Sequence, residues 1–376
     1  MLCLREDAKR ADSKTMPRRR VHKRADSGSD FTRSAALASG GGMISSLQII
    51  EHYAGPVPTL LGQADVLDVC VNPDGAMWVN RLGRGFEQEG AMATSDVTLL
   101  LLGIATEQEC ELNAYHPVLE TTFPLTGDRI EGLIRPVVTD AAFAIRTRAK
   151  KIYRLRDYAE QGIVTTCNDP LNVQSRRASF FDGVRPGGLH VDIISLANWY
   201  RLNVLLVGGT GSGKTTMANA LMDDWCAQTP HDRVVVIEDT VELQCSLANH
   251  IAMRTVDGVV DEAKLLKTSL RLVPKRVVVG EVRSTEPARV LLAAWNTGHS
   301  GGLATIHADD AVSGLRKLET FLGSHDGVVR ERIAAAIGLV IFIDGDERVP
   351  AGRKVRQVVA VRGFDHARQD YELLHL

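Results

Sequence analysis

The stretch Gly208-Gly209-Thr210-Gly211-Ser212-Gly213-Lys214-Thr215-Thr216 constrains this chain more than any other. It follows the apolar run Asn203-Val204-Leu205-Leu206-Val207 and precedes the helix-forming run Met217-Ala218-Asn219-Ala220-Leu221-Met222. A buried strand, a glycine-rich turn and a helix in direct succession leave the turn's N–H groups free to curl around an anion. The helix N-terminus adds partial positive charge. Lys214 is then placed to reach the β- and γ-phosphates of a nucleotide, and the Thr215 hydroxyl to sit on Mg²⁺. The bland alternative is a turn that only reverses the chain. The full motif in its strand–loop–helix setting favours the nucleotide.

From residue 189 onward apolar strands alternate with helices. Strands are expected at 204–207, 234–237, 276–279, 303–306, 340–343 and 355–361. Helices are expected to begin near Lys214, Asp261, Glu286 and Asp309, with another over 328–337. Such alternation predicts an α/β layer with a mostly parallel sheet covered on both faces. Ligands on such sheets bind outside the carboxyl ends of the strands. Those ends carry Glu238-Asp239, Gly280-Glu281 and His307. Phosphoryl transfer needs a metal near the β- and γ-oxygens, an oriented water, and donors for the developing charge. Glu238 and Glu281 are the carboxylates able to orient water or hold hydrated Mg²⁺, and His307 is able to sense the γ-phosphate. Alone, each is more simply a solvated loop residue; three neighbouring strand ends giving the same answer reverse that reading.

The first half is organised differently. Residues 43–150 read as a smaller α+β domain. A short helix starts after Met43, and a hairpin joins 66–71 to 76–80 through Asn72-Pro73-Asp74-Gly75. A helix over 99–104 is expected to be capped by Thr94 or Ser95, and strands follow at 118–123, 130–135 and 142–148. Residues 151–188 form the linker and 189–376 the larger domain. Residues 1–42 are strongly basic, then rich in Ser, Gly and Ala, without the apolar region of a secretory signal. A disordered solvated tail is expected there. The alternatives are a basic arm for anionic lipid or nucleic acid, or a translation start at Met16 or Met43.

Composition sets limits. A net charge of −2 gives no global case for nucleic-acid binding. The six cysteines contain no C-x-x-C pair, which argues against a zinc ribbon. The apolar run 97–105 is too short to span a bilayer.

Four stretches together resemble one family: 208–216 (Walker A), VVIEDTVEL at 235–243 (the Asp box), RVVVGEVRSTE at 276–286 (Walker B) and AWNTGHSGGLATIH at 294–307 (the His box). From about Met43 onward the chain is similar to the hexameric ATPases of type IV secretion and conjugal transfer. The resemblance implies a RecA-like P-loop domain at the C-terminal side, ATP and Mg²⁺ as ligands, and a homohexamer. It also implies cytoplasmic placement at the inner membrane beside channel components. Type II secretion and pilus motors of the same superfamily usually carry Glu-Asp-Pro where this chain has Glu238-Asp239-Thr240, and many carry zinc-binding cysteines absent here. Both differences favour the conjugation and type IV branch. A nucleic-acid translocase is a rival of another class, weakened by the lack of a basic stripe with interleaved aromatics.

By position, the resemblance assigns phosphate and Mg²⁺ to Lys214 and Thr215, with Glu281 beside the metal and γ-phosphate. It assigns water orientation to Glu238 and γ-phosphate sensing to His307. It also sets two N-terminal-domain arginines, Arg129 and Arg146, against the nucleotide. The basic tail and the long link over 166–202 depart from the family's pattern.

Overall fold

The turn at 72–75 closes a hairpin between β1 (Val66–Val71) and β2 (Ala76–Arg81), with Val71 opposite Met77 and Val66 opposite Arg81. The Asn72 N–H donates to the Ala76 carbonyl at 3.0 Å and the Gly75 N–H to the Asn72 carbonyl at 2.9 Å, so the turn closes on its own backbone. The computed structural model describes residues 45–150, 154–164 and 173–376, the side chains of 173–175 excepted. The expected basic tail and residues 151–153 and 165–172 of the expected linker lie outside the described residues.

Helices α1 (Ser46–Tyr53) and α2 (Val57–Gly62) precede the hairpin, and Ser45 and Gln48 form a capping box that starts α1. Strand β3 (Gly85–Ala91) adds to β2; helix α3 (Thr94–Glu107) and strands β4 (Val118–Thr122), β5 (Arg129–Leu133) and β6 (Ala142–Arg146) follow. Ala93 takes the N-cap position of α3 with no side-chain cap, so Thr94 and Ser95 lie inside the helix rather than capping it. The six strands form an antiparallel sheet ordered β3-β2-β1-β6-β5-β4.

Alternation along these strands buries both faces. Val69, Val71, Ile130, Phe143 and Ile145 pack with Leu100, Leu101 and Ile104 of α3. Cys70, Trp78, Leu133, Ala142 and Ala144 face the other way, into a core shared with the second layer. Full burial of each large side chain contributes roughly 1.5–3 kcal/mol. Ser45–Leu376 forms one compact unit.

Within the expected linker lie α4 (Leu155–Glu160) and α5 (Val173–Gly183); α6 (His190–Trp199) follows. Phe180 of α5 is fully buried. Arg177 donates to the carbonyls of Ala334, at 2.7 Å, and Ile337, at 3.0 Å, closing the end of the helix Gly327–Ala336.

The second layer runs β7 (Val204–Val207), α7 (Lys214–Gln228), β8 (Val234–Glu238), β9 (His250–Arg254), α8 (Glu262–Ser269), β10 (Arg276–Val279), α9 (Thr285–Asn296), β11 (Leu303–Ile306), α10 (Ala311–Leu322) and α11 (Gly327–Ala336). It ends in β12 (Leu339–Gly345), β13 (Arg353–Asp365) and β14 (Asp370–His375). The sheet order is β14-β13-β12-β7-β11-β10-β8-β9. Strands β12 through β9 pair in parallel, and β13 and β14 join antiparallel at one edge. Side chains of α6 and α7 cover one face, and α8 to α11 the other. Asp261, Asp310 and Asp326 cap α8, α10 and α11 by accepting from N–H groups of the first turn.

A polar seam joins the two sheets. Arg233, fully buried just before β8, donates from Nη1 to Oδ1 of Asn72 at 2.7 Å and of Asn249 at 2.6 Å, and from Nε to the Leu272 carbonyl at 2.7 Å. Arg254 at the end of β9 donates to the Pro136 carbonyl at 2.8 Å. Glu131, also buried, points from β5 toward α8 with Arg271 Nη1 at 3.9 Å. Arg271 pairs with Glu120.

Candidate active site

After Val207 the chain turns through 208–213 into α7. Gly213 caps the helix with φ +99°, a left-handed conformation that strains any side chain. The turn aims Lys214 inward, and only 8% of that residue is exposed. A loop lysine reads from sequence as an exposed group; here the strand ends beside it close over the side chain. Its Nζ donates to the carbonyls of Gly208, at 3.0 Å, and Gly209, at 2.8 Å. Burial lowers its pKa, an effect countered by the carboxylates of Glu281 and Glu242.

The expected strand-end residues converge on this lysine. His307, just past β11, places Nδ1 at 3.3 Å from Lys214 Nζ and Nε2 at 3.2 Å from Glu281 Oε1. Glu238 ends β8 and is buried; its Oε1 accepts the N–H groups of Glu242 at 3.1 Å and Leu243 at 2.9 Å. Burial raises the Glu238 pKa against those two donors, and the nearby charges of Glu242 and Asp239 add to the rise. Gly280 makes room for this carboxylate, since a Cβ there would stand 3.0 Å from Glu238 Cγ.

Three more residues complete the surroundings. Arg283 holds Glu281 Oε2 at 2.9 Å and also pairs with Asp239, fixing one carboxylate and neutralising another. Thr215 Oγ1 donates to Glu242 Oε2 at 3.0 Å. Arg353 of β13 donates to Thr216 Oγ1 at 3.0 Å. Arg283 and Glu242 lie inside the quoted motifs, so the signal for them was present as charge beside a strand end. Arg353 stands 137 residues from its partner and has no such signal.

Lys214, Thr215, Glu238, Glu281 and His307 line one cleft of about 260 Å³, together with Thr210 and Gly211 of the loop. A larger cavity of about 660 Å³ lies beyond Asp239, lined by Asp257, Asp261, Glu262 and Glu286 without a lysine or arginine. Its charge repels polyphosphate, so the chemistry belongs to the smaller cleft.

Arg129 and Arg146 do not line that cleft in this chain. They stand opposite each other in the β5–β6 register, both exposed. Arg146 Nε lies 3.7 Å from Asp68 Oδ1. Asp68 in turn feels the charges of Arg233 and Lys275, which precede β8 and β10. The arginine pair therefore lies toward the amino ends of the parallel strands, whereas the glycine-rich loop lies at their carboxyl ends.

Comparison with known proteins agrees with this architecture. Residues 190–365 match the family described as "Type II/IV secretion system protein". The probable conjugal transfer protein TrbB of Sinorhizobium fredii is 37% identical over 83% of this chain and 88% of its own length. The conjugal transfer protein TrbB of Rhizobium radiobacter is 37% identical over 81% of this chain and 86% of its own. The crystal structure of the VirB11 ATPase from the Brucella suis type IV secretion system, in complex with sulphate, superposes with a TM-score of 0.72. It covers 83% of this chain and 95% of that one at 22% identity, which speaks to the fold. No helix among the described residues is long and apolar enough to cross a membrane. The 37% identity to the two TrbB proteins across most of both chains places this protein in the TrbB family of conjugal transfer proteins.

Proposed function

We propose that this chain hydrolyses ATP in the cleft at 208–216 and uses the cycle to drive conjugal transfer or type IV secretion. The observation that carries the reading is the meeting of Glu238, Glu281 and His307, from three strand ends, with Lys214 at the end of one glycine-rich loop.

Lys214 and the loop N–H groups bind the β- and γ-phosphates, displacing the lysine from the Gly208 and Gly209 carbonyls that now hold it. Glu238, its pKa raised by burial, orients the attacking water and receives its proton. His307 sits beside the γ-phosphate as its sensor, and its link to Glu281 sets the ring's orientation. Among the described residues no three His, Cys, Asp or Glu side chains form an ion cage. That agrees with Mg²⁺, which binds through one or two protein oxygens, waters and substrate phosphates. The Thr215 hydroxyl and the Glu281 carboxylate are the groups that would hold it, and it would neutralise charge on the β- and γ-oxygens when bound.

Residues 43–150 and 189–376 act as two domains, the second RecA-like, joined by the linker 151–188. Since Arg129 and Arg146 lie away from this chain's own cleft, they serve a nucleotide on an adjoining copy. A ring of six copies at the cytoplasmic face of the inner membrane, beside the transfer channel, supplies that neighbour and turns domain movement into pilus assembly or substrate transfer.

The test is mass and ATPase rate measured together across protein concentration. Activity that rises with the large oligomer supports a site completed between copies. Full activity in the monomer refutes the role given to Arg129 and Arg146, and absence of hydrolysis at every concentration refutes the reading itself.

A further inference from the structure

The hairpin between β12 and β13 brings a guanidinium onto the glycine-rich loop that the mechanism does not use. Arg353 opens β13, and its Nη1 donates to Thr216 Oγ1 at 3.0 Å. The side chain lies directly on the turn: a Cβ added to Gly213 would meet Arg353 Cδ at 2.5 Å and Nη1 at 2.7 Å. Its remaining hydrogen bond is to the Ala351 carbonyl at 3.4 Å, and among the described residues no carboxylate pairs with it. Its neighbours are placed differently. Arg348 and Arg356 both pair with the buried Asp346, at 2.9 and 3.0 Å.

A cation of β13 laid against the first turn of α7 stands at the wrong end of the helix dipole, next to the cationic Lys214. Among the described residues no carboxylate neutralises it, which makes it a group waiting for an anion. The sheet order says which part of the anion. Glu238, Glu281 and His307 end β8, β10 and β11, all on one side of β7, whereas β12 and β13 lie on the other. A nucleotide whose γ-phosphate meets the first three therefore runs along the loop past Lys214, and its nucleoside end lies toward Thr216 and Arg353.

We propose that Arg353 is a substrate-binding residue, its guanidinium held by Thr216 and engaging the non-bridging oxygens of the α-phosphate. The inference rests on the reading of the cleft as a nucleotide site and deepens it. Arg353 grips a part of the nucleotide that ATP and ADP share and that does not react. Its contribution is therefore equal in ground and transition states, which sets affinity and leaves the chemical step alone.

The experiment uses the full chain, with fluorescent ADP titrations, ATP turnover and thermal melting of wild type, R353Q and R353K. The result expected for R353Q is a roughly tenfold rise in both the Kd for ADP and the KM for ATP, the loss of one charge-assisted contact. Its kcat should stay within about twofold, and its melting temperature should be unchanged, because Arg353 is exposed. R353K keeps the charge but not the planar fork, so it should recover part of the affinity; it also serves should R353Q fail to fold. ADP affinity in R353Q equal to wild type, or a fall in kcat with KM intact, overturns the proposal and leaves the nucleotide site standing. Failure of wild type to bind ADP overturns the nucleotide reading itself.

Discussion

Nε2 of His307 lies 3.2 Å from Oε1 of Glu281, bridging the ends of two neighbouring parallel strands. The same ring reaches Lys214 through Nδ1, so imidazole, carboxylate and ammonium form one line across the cleft. Glu281→Gln should bind ATP with near wild-type affinity and lose turnover by about 100-fold or more, as expected when charge aimed at a transition state is removed. His307→Ala should lose roughly 10- to 100-fold in kcat with a smaller change in KM. Nucleotide titration beside steady-state turnover checks both; normal turnover in either variant removes that residue from the chemistry.

Lys214→Ala should abolish measurable hydrolysis, a fall of about 100-fold or more. Folding should survive, because the lysine is desolvated and its partners, two loop carbonyls and His307 Nδ1, are groups that water can serve in its place. Circular dichroism and a melt report the fold. Unfolding of this variant would show that the Gly208 and Gly209 contacts hold the turn together.

Glu238 carries a raised pKa, so the acid limb of the kcat/KM profile should lie above the ordinary carboxylate range. The neighbouring Glu242 charge is one cause of the rise. Removing that charge with Glu242→Gln should move the limb toward lower pH by a fraction of a unit. A limb that stays in place, measured over several buffers at constant ionic strength, assigns it to another group.

The seam between the sheets predicts a stability effect. Arg233→Ala leaves Asn72 Oδ1 without its buried donor, leaves Asn249 Oδ1 with the Asn72 amide alone, and opens a cavity, which should cost about 3–5 kcal/mol in denaturant unfolding. Arg233→Met fills most of the space without a buried charge and should recover a large part of that loss. Equal losses in the two would show that the hydrogen bonds, and not the volume, decide the effect.

Glu131 gives a pH signature of its own. Burial pushes its carboxyl up to about 8 in the folded chain, against an ordinary value of 4.5. The folded state then holds a proton that the unfolded state releases. The stabilising contribution is complete below pH 4.5 and declines as pH rises toward 8, by at most about 1.4 kcal/mol per unit. Glu131→Gln should flatten that part of the stability profile. A wild-type curve already flat over this range would place the charge of Glu131 in contact with Arg271 or Lys264.

The glycine-rich loop, the parallel strands and the strand-end residues were legible because each is local: a short apolar run, a turn, then a charged group at a fixed offset. Strand β9 was not, since His250–Arg254 alternates weakly and exposes Ala252 and Arg254. Strand β3 was hidden by its polar residues, only Phe86 being buried among them. The resemblance named Arg129 and Arg146, but nothing along the chain says toward which end of the parallel strands their own sheet is bound. That is decided by Asn72 and Arg233, partners 161 residues apart whose types alone announce no contact. Arg177 was unreadable for the same reason, its acceptors lying at the end of a helix 157 residues away.

Arg233 and Glu238 are the two ends of a single strand. The first is gripped by Asn72 of the smaller sheet, and the second faces the cleft where the water must be held. From one to the other run five residue steps of backbone, about 16 Å of extended chain tied on both sides into a parallel sheet. Strand β8 is in that sense a connecting rod. The Asn72–Arg233 contact and the Glu238 carboxylate are thus carried by one strand held on both sides, so the smaller sheet is fastened to the same rigid element that presents Glu238 to the cleft.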